Sequence, residues 1–245
     1  MMEKLSDDLF QSRCQDFLSN YQVIMERVAE AAVLSGRTPE DIHVLAATKT
    51  VPHELISFAT QNGIRLIGEN KAQELNQKYP YYQLPMENIH FIGHLQTNKV
   101  ASVVGKVGMI QSVDSVRLAK EIAKRSVNLG ITTNILIEVN VGNEENKSGI
   151  APCEVISLLE EISTLPGISV KGLMTIPPIT ETPDQSRRFF SIISALAVDI
   201  REKNIHNVSM DYLSMGMSSD YYQAILEGAN MVRIGSLLFG KRIYK

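Results

Sequence analysis

With 245 residues, 44% of them hydrophobic and 21% charged, the chain can bury one substantial core, and we expect a single domain over residues 1–245. A net charge of −3 and a pI near 6.0 argue against a nucleic-acid binder, which normally presents a basic face. The N-terminus lacks the apolar core of a signal peptide and no apolar run nears the ~20 residues that cross a bilayer, so we expect a cytoplasmic protein with no membrane partner.

The first predicted element is a long amphipathic helix from about Asp7 to Ser35. Its apolar residues recur at intervals of four, three, four and three, which places them on one face: Phe17, Tyr21, Ile24, Val28 and Ala31. Gly36 suits the end of this helix. The two cysteines, Cys14 and Cys153, stand far apart, which predicts two reduced thiols and no metal site.

Short apolar runs then alternate with helical segments. The predicted strands are His43–Ala47, Arg65–Ile67, Ile89–Ile92, Met109–Gln111, Asn134–Val139, Val170–Met174, Tyr212–Met215 and Met231–Ile234. Asp114 is the predicted cap of the helix that ends at Gly130, and Thr182 opens a capping box with Gln185. Eight strand–helix units with strands buried on both faces predict an α/β fold, a closed (β/α)8 TIM barrel preceded by the long N-terminal helix.

The last two strands each run into a turn of small residues, Gly216-Met217-Ser218 and Gly235-Ser236. Such turns leave backbone N–H groups unpaired at helix N-termini, where the helix dipole adds partial positive charge. We expect Ser218 to be an N-cap, and the glycines to let the backbone approach an anion. One such turn is usually only a cap, but a barrel of this kind often holds phosphate with its last two loops.

Residues at the carboxyl ends of the strands should line the site. Lys49 ends the first strand, where partial burial and nearby helix dipoles should lower its pKa and make its amine nucleophilic; a surface lysine is the alternative. Asn70 can bond a ring hydroxyl or carbonyl, and Met174 offers an apolar surface for a flat ring. His90 is expected to be a core histidine, and His94 has no visible partner in the sequence.

Arg233 precedes Gly235 by two residues, so its side chain should point into the barrel. A guanidinium there needs an acceptor, which is either a buried carboxylate or a ligand atom such as a pyridine nitrogen. Pyridoxal 5'-phosphate, the vitamin B6 cofactor, offers an aldehyde for Lys49, a ring nitrogen for Arg233 and a phosphate for the two turns.

At these residues the chain resembles the pyridoxal phosphate homeostasis protein family, relatives of the fold type III barrel domain of alanine racemase. The matching segments run from Ala47-Thr48-Lys49 and Gly68-Glu69-Asn70 through His90-Phe91-Ile92-Gly93 and Gly172-Leu173-Met174 to Leu213–Ser218 and Val232–Gly235. The resemblance implies that Lys49 forms the Schiff base, that Arg233 lies near the pyridine nitrogen, and that five residues contact the phosphate: Ser214, Gly216, Ser218, Gly235 and Ser236.

Three functions remain open on the sequence. The first is a monomeric carrier that holds the cofactor in intracellular homeostasis without robust catalysis and delivers it to apo-enzymes. The second is a pyridoxal-phosphate amino-acid racemase or lyase, which needs a second base from the loop after strand three or five, where Gly142–Gly149 forms a polar loop. The third, a lysine-dependent aldolase or isomerase acting on a sugar phosphate, is disfavoured by the resemblance.

Overall fold

Eight parallel strands close into a barrel in the computed structural model, which describes residues 6–240. The strands are β1 (His43–Ala47), β2 (Leu66–Glu69), β3 (Ile89–Phe91), β4 (Met109–Val113), β5 (Thr133–Val139), β6 (Ile168–Thr175), β7 (Val208–Ser214) and β8 (Met231–Ile234). The predicted barrel and all eight strands are confirmed, with shifts of a few residues at the ends. Both termini of the predicted domain, residues 1–5 and 241–245, lie outside the described residues.

The α-helices are α1 (Asp7–Leu34), α2 (His53–Gln61), α3 (Ala72–Lys78), α4 (Val116–Asn128), α5 (Val155–Ile162), α6 (Pro183–Glu202), α7 (Tyr221–Leu226) and α8 (Ser236–Phe239). Short 3-10 helices span Pro39–Asp41, Tyr79–Tyr81, Met86–Asn88, Thr97–Ser102 and Pro152–Glu154. The connection after β3 differs from the expected pattern, because the 3-10 helix Thr97–Ser102 replaces an α-helix there. Within residues 6–240, no helix combines the length and the apolar character that a membrane span requires.

The caps of two helices test the sequence patterns. The capping box at Thr182 is confirmed, since its hydroxyl accepts the Gln185 N–H and the Gln185 side chain bonds back to the Thr182 N–H. The prediction that Asp114 caps α4 is wrong. Ser115 is the cap, with its hydroxyl accepting the Leu118 N–H, while the Asp114 carboxylate lies 3.8 Å from His94 Nδ1.

Helix α1 packs its predicted apolar face against α2, α7 and α8. Phe17 is fully buried, stacks on Tyr21 and Phe239, and meets Phe58 edge-on. The helix also donates hydrogen bonds from Arg13 and Asn20 to backbone carbonyls of α8, at 2.7 Å and 3.2 Å. It thereby fixes the short last helix, whose carbonyl groups would otherwise lack partners.

The interior of the barrel contains a polar contact between two apolar clusters. Leu45, Ile92 and Met231 form one cluster, and Met109, Leu136 and Met174 form the other. The Gln111 Nε2 group donates to His90 Nδ1 over 2.9 Å. Burial lowers the pKa of His90 from 6.5 to about 4, which keeps the ring neutral and able to accept this bond. His90 is therefore the core histidine that the sequence predicts.

Replacing Phe17 by alanine should lower the free energy of unfolding by about 3–5 kcal/mol, because a large aromatic contact between α1 and the barrel is lost. Val23, 52% exposed on the same helix, provides the control: Val23→Ala should change the free energy by less than about 0.5 kcal/mol. Urea unfolding measures both. Equal losses would contradict the packing role of Phe17.

Protonation of His90 should destabilise the fold at acidic pH. The unfolded chain binds a proton at this residue near pH 6.5, whereas the folded chain does so only near pH 4, so stability falls as the pH drops through this window. The full loss is roughly 3 kcal/mol at about 1.4 kcal/mol per pH unit. The variant His90→Gln does not titrate, so the free energies of unfolding of wild type and variant, measured by urea titration, should converge between pH 7 and pH 4.5. A difference independent of pH would contradict this role.

Candidate functional site

Lys49 lies in the turn after β1, at the carboxyl end of the barrel, as predicted. Its side chain is partly buried, and the turn begins where the Thr48 N–H donates to the Gly68 carbonyl over 2.9 Å. Thr50 has a φ of 63°, a left-handed conformation that a β-branched residue rarely adopts. The backbone around Lys49 is therefore held in an unusual local geometry.

Arg233 points into the barrel and is 4% exposed. Its Nη1 donates to the carbonyl and the hydroxyl of Ser214 at 2.7 Å and 2.8 Å, and its Nη2 donates to the Thr175 carbonyl at 2.9 Å. Ser214 in turn donates to Gln111 Oε1 over 2.6 Å. The direct acceptors of the guanidinium are thus neutral oxygens, which differs from the buried ion pair that the sequence left open.

Arg233 nevertheless carries its charge inside the barrel. Burial lowers its pKa to about 10, and the carboxylates of Glu138 and Asp220 oppose this shift. At neutral pH the guanidinium is protonated, and bonds to oxygens from β6 and β7 fix its orientation. Such a group can offer a directed N–H donor to a ligand at the carboxyl end of the barrel.

The two predicted turns meet through Ser218. Its hydroxyl oxygen accepts the N–H groups of Gly235 and Leu237, at 3.4 Å and 3.3 Å. The prediction that Ser218 is an N-cap is wrong, because Asp220 occupies the cap position of α7 and its carboxylate accepts the Met217 N–H over 2.6 Å. Ser218 instead bridges to the neighbouring turn, which only the pairing of β7 with β8 brings close.

The prediction that the two turns leave their N–H groups unpaired is wrong for Met217 and Gly235, because the Met217 N–H donates to the Asp220 carboxylate and the Gly235 N–H donates to the Ser218 hydroxyl oxygen. The start of α8 nevertheless directs two N–H groups at one oxygen atom, and a serine hydroxyl can donate as well as accept. Gly216 has a φ of 92°, and a Cβ atom there would lie 2.5 Å from the Ala224 Cβ, so a larger residue would disturb the turn. Ser236 is exposed at the first position of α8.

Asn70 and Met174 differ in burial: Asn70 is partly buried directly after β2, whereas Met174 is fully buried within β6. The Asn70 Oδ1 atom is buried and, among the described residues, has no hydrogen-bond partner. An orphaned acceptor of this kind indicates a missing donor. Met174 is fully buried beside Met109 and Leu136, so its contact with a ring remains a prediction.

Glu138 is a residue of this site that the sequence reasoning missed. It is 4% exposed on β5, its Oε1 accepts the Ser148 hydroxyl over 2.7 Å, and its Oε2 is buried without a partner among residues 6–240. Burial raises the pKa of its carboxyl. The signal was present in the sequence, because Glu138 is the one charged residue in the apolar strand Thr133–Val139.

The polar loop after β5 packs onto the carboxyl end of the barrel. Ser148 bonds to Glu138 inside the barrel, and Lys147 Nζ lies 3.4 Å from the Pro177 carbonyl in the loop after β6. Lys147 also pairs with Glu144.

His94, for which the sequence shows no partner, lies 3.8 Å from the Asp114 carboxylate. In the part of the chain that the structure describes, no cluster of three His, Cys, Asp or Glu side chains is arranged to bind a metal ion.

The chain is similar to known proteins over most of its length. The family model for the alanine racemase N-terminal domain matches residues 20–242. The pyridoxal phosphate homeostasis protein of Aquifex aeolicus is 44% identical over 221 residues, which make up 90% of this chain and 96% of that protein.

Solved structures are similar over nearly the whole barrel. A protein from Bifidobacterium adolescentis, described only as unknown, has a TM-score of 0.89 at 35% identity, covering 97% of this chain and 98% of its own. PipY from Synechococcus elongatus PCC7942, solved with PLP bound, has a TM-score of 0.75 at 30% identity, covering 87% of this chain and 100% of its own. The extent of these similarities shows that this chain belongs to the pyridoxal phosphate homeostasis protein family and has the barrel of the alanine racemase N-terminal domain.

Proposed function

We propose that this chain binds pyridoxal 5'-phosphate as a Schiff base on Lys49 and acts in intracellular cofactor homeostasis or carriage without robust catalysis. The pairing of β1 with β8 is the observation that carries the proposal. Leu45 pairs with Arg233 and Ala46 with Ile234, so the strand that leads into the Lys49 turn runs beside the strand that carries Arg233 and leads into the Gly235 turn. This register supports a site in which the Lys49 amine, the Arg233 guanidinium and the Gly235 turn contact one ligand.

The residues of the rim fit the parts of the cofactor. The protonated guanidinium of Arg233 would donate to the pyridine nitrogen and leave that nitrogen unprotonated, which weakens the ring as an electron sink. The proposed phosphate contacts are Ser214, Gly216, Ser218, Gly235 and Ser236. The orphaned Asn70 oxygen would accept from a ring hydroxyl, and Met174 would support the ring.

The bound cofactor would supply an electrophilic aldehyde and a conjugated ring; the protein supplies the amine that captures it. The name of the Aquifex aeolicus relative supports homeostasis over turnover. Delivery to apo-enzymes, a monomeric state and a cytoplasmic location remain part of this proposal, because each follows from composition or from the family and not from a contact in the structure.

The covalent role of Lys49 can be tested by reduction. Wild type mixed with pyridoxal 5'-phosphate should develop a visible absorption band, and borohydride should leave a pyridoxyl group on the peptide that contains Lys49. The variant Lys49→Ala should lose the adduct at that position. The control Lys171→Ala removes a lysine near the other rim, where it pairs with Asp211 at 3.7 Å, and should retain both signals. An adduct of equal yield in Lys49→Ala and wild type, located elsewhere, would refute the assignment.

The environment of Glu138 favours the second candidate function, an amino-acid racemase or lyase. A buried carboxyl group with a raised pKa, and with one oxygen that has no partner among residues 6–240, has the chemistry of a proton-transfer group. Carriage is the better-supported function, because relatives that match over about nine-tenths of the chain are named as homeostasis proteins.

Incubation of the loaded protein with a panel of amino acids in deuterium oxide separates these two candidates. We expect no multiple-turnover incorporation of deuterium at the α-carbon, measured by mass spectrometry. Incorporation that Lys49→Ala abolishes and Glu138→Gln reduces would establish the enzymatic alternative and assign Glu138 to proton transfer.

A further inference from the structure

A buried ion pair lies directly beneath the turn that carries Lys49. Lys78 at the end of α3 is 1% exposed, Glu69 at the end of β2 is 0% exposed, and Lys78 Nζ lies 3.0 Å from Glu69 Oε1. Neither residue contributes to the proposed cofactor contacts. A lysine and a glutamate are almost never buried to this degree unless they are paired, so the position of both is specific.

The pair contacts the residue before Lys49 through two bonds. Lys78 Nζ donates to the Thr48 carbonyl over 2.8 Å, and the Thr48 hydroxyl donates to Glu69 Oε1 over 2.7 Å. The carbonyl and the side chain of Thr48 are therefore both held. Because Lys78 Nζ already serves the Thr48 carbonyl and the Glu69 carboxylate, its amine is not presented to a ligand.

The residue after Lys49 is held by the same group of side chains. The Thr50 N–H donates to Glu74 Oε1 over 2.9 Å, and that oxygen lies 3.7 Å from Lys78 Nζ. This bond restrains Thr50 in its left-handed conformation, which is unfavourable for a β-branched residue. Lys49 thus stands between two anchored neighbours.

Tyr82 completes the cluster, because its hydroxyl donates to Glu69 Oε1 over 2.6 Å. Burial raises the pKa of the Glu69 carboxyl, and the Lys78 ammonium opposes that shift. Stability alone is a weak explanation for such a cluster, since well-packed apolar residues often replace a buried ion pair without loss. A cluster that fixes the backbone on both sides of Lys49 can instead serve to position that residue.

We propose that Glu69, Lys78 and Glu74 are positioning residues that aim the Lys49 amine into the mouth of the barrel. They hold the carbonyl of Thr48 and the N–H of Thr50, so the backbone on both sides of Lys49 is fixed. This inference deepens the proposed function, because it concerns the rate at which Lys49 captures the cofactor aldehyde. Preorganisation of a nucleophile within about 1 Å is worth up to ~100-fold in rate.

Glu74 allows a matched pair of variants, because its contact with Thr50 needs only an acceptor. Glu74→Gln keeps an oxygen acceptor of similar length, whereas Glu74→Met removes it with little change of volume. Lys78→Met tests the other anchor. Thr133→Val is the control for stability, since it removes a buried 2.7 Å bond to Ser126 at the opposite end of the barrel.

Two measurements on the unloaded protein and one with the cofactor give the readouts. They are amide hydrogen exchange at Thr50, the rate at which an amine-reactive reagent modifies Lys49, and the rate at which a borohydride-trappable adduct forms with pyridoxal 5'-phosphate. Glu74→Met and Lys78→Met should speed Thr50 exchange, change the modification rate of Lys49 and slow adduct formation by about tenfold or more. Glu74→Gln should restore most of the rate, and Thr133→Val should lower the urea midpoint without slowing the adduct.

Wild-type rates of adduct formation and Thr50 exchange in both Glu74→Met and Lys78→Met would overturn the positioning role, while the proposed function stood. Slowing by Thr133→Val to the same extent would also overturn it, since general destabilisation would then explain the effect. If Lys78→Met does not fold, the comparison of Glu74→Met with Glu74→Gln decides the positioning role alone. If wild type itself forms no adduct, the proposed function fails, and the measurements on the unloaded protein still decide whether the cluster orders the turn.

Discussion

The pairing of β1 with β8 is the contact on which the candidate site depends. It closes the barrel in a register that sets Leu45 beside Arg233, and it brings the turns after both strands to the same rim. A Cβ atom on Gly235 would lie 3.3 Å from the Ala47 carbonyl oxygen, so the backbone after β8 runs close to the end of β1, just before Lys49. Residues separated by most of the sequence thereby meet at one candidate site, which is the usual outcome of barrel closure.

Polar groups inside a barrel must find partners, because burying them without hydrogen bonds is costly. Two networks meet this need: one joins His90, Gln111, Ser214 and Arg233 across the interior, and the other joins Thr48, Glu69, Lys78 and Tyr82 beneath the Lys49 turn. Seven buried oxygens remain without a partner among residues 6–240, and three of them belong to residues at or directly after the ends of β2 and β5: Glu69, Asn70 and Glu138. Part of the unsatisfied capacity for hydrogen bonds therefore lies at the carboxyl rim, where a ligand would bind.

The long first helix serves the site from outside the barrel. Its apolar face packs Phe17 against Phe239, and its polar side chains bond to carbonyls of α8, the helix that follows the Gly235 turn. A helix of only four residues has little stability of its own, because a helical nucleus is costly to form. Tertiary contacts with α1 therefore hold the backbone N–H groups of this turn in place. The N-terminal and C-terminal elements of the described chain form one supporting unit.

The sequence by itself determined the order of elements and the residues at the strand ends. Apolar runs, helix periodicity and turn residues are local signals, and they placed Lys49, Asn70, Arg233 and Gly235 at the carboxyl end of the barrel because a strand's end fixes which side chains follow it. Only the tertiary structure decided the partners. Ser218 bonds to the neighbouring turn, Ser115 takes the cap expected of Asp114, and Glu69 pairs with Lys78 beneath Lys49. Local patterns leave each of these contacts undetermined, because several polar groups of suitable chemistry lie within reach and packing selects one.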